Sequence, residues 1–90
     1  MLRQSSTKLF RKEVKLMEKR GRNIGKLREV IDMIIYEQPL PPERNNHPLH
    51  GEWKGSLSCH IQGDWVLIYK IDDSARIVTF QRTGSHSDLF

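Results

Sequence analysis

An α+β fold, with two N-terminal helices packed on a twisted antiparallel sheet of three to four strands, is predicted by three features of this sequence. Apolar residues recur at helical spacing in two stretches before residue 36, whereas three later runs read as strands. Gly21 separates the two helical stretches, and the cluster Pro39, Pro41, Pro42 ends the second. The strand-like runs are joined by connections of a few residues, which favour an antiparallel meander. Ninety residues suit a single domain over 1–90 with one modest core and leave no room for a separate cofactor-binding module.

Taken in order, Leu2 to Ser5 can form a short first strand. Ser6 or Thr7 can then cap a helix running to about Arg20, with Phe10, Val14 and Met17 on one face. Asn23 caps a second helix, whose Ile24, Leu27, Ile31, Ile34 and Ile35 make the stronger apolar stripe. A loop from Gln38 to about Gly55 follows, rich in Pro and Asn and containing His47-Pro-Leu-His50; loops this long in small domains tend to be functional. The strands are expected at Ser56 to Ile61, Trp65 to Ile71 and Arg76 to Thr83, with turns at Gln62-Gly63-Asp64 and Asp72-Asp73-Ser74. Alternation puts Ser56, Ser58 and His60 opposite Leu57, Cys59 and Ile61, so His60 looks away from the helices. The same parity gives Arg82 the face of Val78 and Phe80 unless a bulge or twist re-aims it.

Charge is distributed unevenly. The formal net charge is +4, yet residues 3 to 28 hold ten Lys and Arg against Glu13 and Glu18, a local excess of +8. Such a stretch suits a polyanion, although a solvated helix face has the same composition. The lone Cys59 excludes an internal disulfide and reads as a small core residue. With no apolar leader or membrane span visible, the chain is expected to be cytoplasmic and without a membrane partner.

All four histidines, His47, His50, His60 and His86, lie in the last 44 residues, interleaved with Asp64 and Arg82. Histidine titrates near neutrality, so acid/base chemistry is the first possibility to weigh. A metal site built from His47, His50, Cys59 and His60 fails on geometry, because adjacent strand residues point to opposite faces. Nucleophilic catalysis by Ser56 or Ser58 with His60 and Asp64 lacks a strand-to-helix elbow around the serine. Metal-free RNA cleavage asks for less: the substrate supplies a 2'-hydroxyl nucleophile, and two titratable groups and a cation suffice. His47, His60, Asp64, Arg82 and His86 are those types, and Phe90 offers a stacking platform or a core plug.

The ordered elements Asn46-His47-Pro48-Leu49 with Gly51, Trp53-Lys54-Gly55, Cys59-His60 with Asp64-Trp65, and Arg82-Thr83-Gly84-Ser85-His86 with Leu89-Phe90 resemble the YafQ branch of the RelE-type toxins over nearly the whole chain. That resemblance implies a toxin of a type II toxin-antitoxin system, with the RelE-like α+β fold. It implies a metal-independent endoribonuclease without a cofactor, cutting mRNA in the ribosomal A site and held inactive by a DinJ-like antitoxin. It places catalytic positions at His47, His60, Asp64 and His86, with phosphate- and base-contacting positions at Arg82 and Phe90. His86 is assigned the general acid; the base is left among His60, His47 and Asp64. Some relatives carry an acidic residue at the position of Ser58, and His50 is a bystander. Lys12, Lys15 and Lys19 of the first helix are expected to hold ribosomal RNA, the toxin itself being monomeric. The alternative is a non-nucleolytic protein of this fold that binds another target such as a DNA topoisomerase.

Overall fold

The computed structural model describes residues 1–90. Strand β1 (Arg3–Ser6) leads into helix α1 (Lys8–Lys19) and helix α2 (Ile24–Ile35). Strands β2 (His47–Pro48), β3 (Leu57–Gln62), β4 (Trp65–Asp72) and β5 (Ile77–Ser85) follow, then helix α3 (His86–Leu89). Of the two candidate caps for α1 it is Thr7 that serves: its Oγ1 accepts from Phe10 N–H at 3.0 Å and donates to the Gln81 carbonyl at 2.8 Å. Gly21, at φ +82°, stops the helix, and Arg22 N–H reaches back to the Met17 carbonyl at 3.0 Å. Asn23 caps α2 by accepting from Gly25 N–H.

The strands lie in the order β1-β5-β4-β3-β2. This corrects the expected antiparallel sheet of three to four strands. There are five, and the sheet is mixed, because β1 runs parallel to β5 with Arg3 opposite Ile77 and Ser6 opposite Phe80. Both helices lie in the crossover between β1 and the strands that follow, as a parallel pairing requires. The long loop is also less irregular than expected: one-turn 3-10 helices at Pro42–Arg44 and Gly51–Trp53 flank the two-residue β2, which pairs with Leu57 and Ser58. Two tethers fix this segment. Tyr69 Oη donates to Asn46 Oδ1 at 2.7 Å, and Arg44 donates to the Ile61 carbonyl.

Apolar side chains fill both faces of the sheet. On one, Phe10, Met17, Leu27, Val30 and Ile34 of the helices pack on Cys59, Ile61, Trp65, Leu67, Tyr69, Val78 and Phe80. On the other, Val66, Ile68 and Leu89 pack with Leu49 and Trp53. Being covered on both sides, β4 carries the unbroken buried run Trp65-Val66-Leu67-Ile68-Tyr69 in place of an alternating pattern. The β4-β5 ladder slips at one point. Tyr69 faces Phe80 but Ile68 faces Arg82, leaving Gln81 as the extra residue of a bulge. The bulge inverts parity beyond Phe80, so Arg82 leaves the face of Val78 and Phe80, and Thr83 takes the core side opposite Leu67.

Candidate active site

Four side chains singled out in the sequence meet on the sheet face turned away from α1 and α2. His47, on β2, stands opposite Ser58, and His60, on β3, stands opposite Val66. His86 opens α3, and Phe90 follows that helix by one residue. Together with Asn45, Leu49 and Ser58 they line a cleft of about 420 Å³, the largest in the molecule. Asn45 and Leu49 escape a reading by residue type, since neither titrates. Asn45 sits at φ 47°, a left-handed position that Asn tolerates and that turns the chain into β2. His50 does not line the cleft.

Local hydrogen bonds decide which nitrogens of the imidazoles are free. His47 Nδ1 lies 2.7 Å from the Asn45 carbonyl, and His60 Nδ1 lies 3.1 Å from the Gly63 carbonyl. A carbonyl oxygen only accepts, so Nδ1 carries the hydrogen in both rings and Nε2 is left to exchange a proton. The His86 and Phe90 rings sit 4.9 Å apart, tilted by 41°. Phe90 is 51% exposed, so this aromatic surface is open to a ligand and does not plug the core.

Asp64 and Arg82 stand outside the cleft lining, each held by an oppositely charged side chain. The Asp64 carboxylate meets Arg22 Nη2 at 3.0 Å, and the Arg22 guanidinium lies 6.0 Å over the Trp65 ring. The backbone of Asp64 is tied to the site, because its carbonyl accepts from His86 N–H at 2.8 Å. Arg82 makes a two-pronged pair with Glu13 of α1, 3.0 Å from Nε and 2.7 Å from Nη2. Those bonds push the Arg82 guanidinium even higher than usual, with the charge of Asp88 adding to the effect. Lys12, Lys15 and Lys19 are exposed along α1, away from the cleft.

No three His, Cys, Asp or Glu side chains come close enough together to share a metal ion. Cys59 is fully buried on the helix side, and burial pushes its thiol up to about 12. What the cleft offers is three imidazoles lining one space, two of them with Nδ1 engaged by a backbone carbonyl, and an aromatic ring beside the third. Such a set can take a proton from one side of a bound group and return one from the other.

A family model described as the bacterial toxin of type II toxin-antitoxin system, YafQ, matches residues 2–90. The mRNA interferase toxin YafQ of Escherichia coli K12 is 42% identical over 82 residues, which cover 90% of this chain and 87% of that protein. Among solved structures, the toxin in the E. coli DinJ-YafQ toxin-antitoxin complex superposes with a TM-score of 0.90 at 38% identity, covering 100% of this chain and 99% of the other. A metal-bound toxin from Helicobacter pylori superposes at 0.92 with 37% identity, each chain covered completely. With the match spanning both the helices and the histidine cleft, this chain belongs to the YafQ family of type II toxin-antitoxin toxins.

Proposed function

We propose that this toxin is an mRNA interferase that cuts message in the ribosomal A site by metal-independent acid/base catalysis. The observation that carries the reading is the meeting of His47, His60, His86 and Phe90 in one cleft. In this mechanism Nε2 of His60 or His47 removes the proton of the substrate 2'-hydroxyl. The freed oxygen attacks the adjacent phosphorus, the bond to the 5'-oxygen breaks, and protonated His86 delivers a proton to that leaving oxygen. The products are a 2',3'-cyclic phosphate and a 5'-hydroxyl. Phe90 stacks a base beside the scissile bond. Arg82 supplies the cation for the charged phosphorane once the phosphate competes with Glu13, and Asp64 supports the site through its carbonyl bond to His86.

Relatives support the partners in this scheme: the E. coli homologue is named an mRNA interferase, and E. coli YafQ has been solved in a toxin-antitoxin complex with DinJ. A DinJ-like antitoxin is accordingly the inhibitor of this chain. Primer extension on mRNA after brief induction tests the reading. Wild type is expected to give cuts in frame with translation, and His86→Ala should lower cleavage by roughly 10²–10⁴-fold, as for a lost acid or base. Programmed ribosomes treated with a chelator and rebuffered in monovalent salt plus polyamine should still be cut, whereas a 2'-deoxy sugar at the cut site should block the reaction. Normal cutting of the deoxy substrate would replace the 2'-hydroxyl by a water nucleophile.

A further inference from the structure

We propose that Arg20 and Asp88 form a positioning pair that sets the His86 ring for proton delivery, an inference that rests on the acid role given to His86 above. α3 has four residues, far fewer than a helix needs to stand alone. Its shape comes from identifiable bonds. Ser85 Oγ accepts from Asp88 N–H at 3.1 Å, and Asp88 Oδ2 accepts from Ser85 N–H at 3.3 Å, closing a capping box around the residue before His86. The same Oδ2 accepts from Arg20 Nη1 at 2.9 Å, so the last residue before Gly21 grips a turn 68 positions further along the chain. Phe90 N–H closes the turn on the His86 carbonyl at 3.0 Å.

Asp88 spends its carboxylate on this turn and does not line the cleft. Its bonds to Ser85 and Arg20 hold the carboxyl below the usual Asp range, so the anion that organises the turn is present wherever a histidine can titrate. Below the turn, Leu89 is buried against Val66 and Ile68, which fixes its depth. His86 N–H on the Asp64 carbonyl holds the start of the turn, and the Arg20 bond to Asp88, from just past the end of α1, is the one side-chain tie between the turn and the helical side. The side chains of Arg20 and Asp88 are 49% and 41% exposed, and exposed pairs contribute little to global stability. Their loss is therefore expected in the placement of His86 and much less in folding.

Arg20 also belongs to the basic stretch, so an effect on RNA affinity must be separated from one on geometry. The two accounts predict opposite signs at Asp88. If only the field matters, Asp88→Asn removes a negative charge and tightens ribosome binding; if position matters, it slows cleavage as Arg20→Ala does. Single-turnover cleavage on programmed ribosomes, followed over toxin concentration, reads both. Arg20→Ala and Asp88→Asn are each expected to lower the maximal rate about 10-fold, given that misplacement of about 1 Å can cost 10²-fold. The half-saturating concentration should stay within about twofold for a rate effect of this kind. Arg20→Lys should restore most of the rate, and the double variant should be no slower than the slower single one.

NMR of the free toxin supplies a readout independent of catalysis and of Asp88 folding properly. The His86 ring protons, shifted by the Phe90 ring, should move toward unstructured values in Arg20→Ala and return in Arg20→Lys. Wild-type rate and shifts in Arg20→Ala would overturn the proposal, as would a pure loss of affinity there with a gain in Asp88→Asn. Full activity of His86→Ala would instead remove the acid role, whereas the NMR shifts would still report whether the pair orders the turn.

Discussion

His60 and Cys59 are chain neighbours with opposite fates, and strand parity is the reason. His60 faces the cleft; Cys59 is sealed under the helices, its thiol pushed up to about 12 by burial. Thiolate is the reactive form, so Cys59 in the folded protein should resist iodoacetamide at pH 8 and react only on unfolding, a difference that mass spectrometry across a urea series would measure. The sign of the linkage follows. A group whose folded value lies above its ordinary 9.0 favours the fold fully below pH 9, and that contribution is lost as pH rises toward 12. The three cleft histidines were legible by residue type and by the family resemblance, and for His60 strand parity added its direction, away from the face of Cys59. Arg82 was named by type, but its face was left open, because its parity depends on Gln81, a bulge residue with no compositional mark.

At the scale of elements, the register beyond that bulge is held by one buried chain of bonds. Trp65 Nε1–H donates to Thr83 Oγ1 at 2.8 Å, and the Thr83 hydroxyl donates to the Val66 carbonyl at 2.9 Å. Thr83→Val keeps the shape but strands the indole N–H, so urea unfolding should show a loss of about 1–3 kcal/mol. The two long helices and β3 were readable from an apolar period, and β4 and β5 from apolar runs bounded by turn residues. The pairing of β1 was not: Arg-Gln-Ser-Ser has no alternation, and its partner lies more than seventy residues away. β2 was hidden because two residues carry no period at all. α3 did have a signal, the Ser85-x-x-Asp88 box, but four residues ending a strand give no hydrophobic repeat to draw attention to it.

The whole molecule sets a basic helical side against a histidine cleft on the far face of the sheet. Lys12, Lys15 and Lys19 are exposed and form no ion pairs, so they remain available to phosphate. Reversing all three charges should weaken ribosome binding and reduce the steepness of its salt dependence by about 0.7–0.9 in logarithmic slope per lost contact. Filter binding over a salt series measures this; an unchanged slope would move the RNA-facing surface elsewhere. The parallel pairing of β1 with β5 has a temporal meaning as well. During synthesis the first strand waits without its partner until residues 77–80 have been made, and the cleft waits for His86 and Phe90. A growing chain that has not yet reached residue 86 thus has neither the parallel pair nor the complete cleft, and under the proposed mechanism such a chain should cut no message.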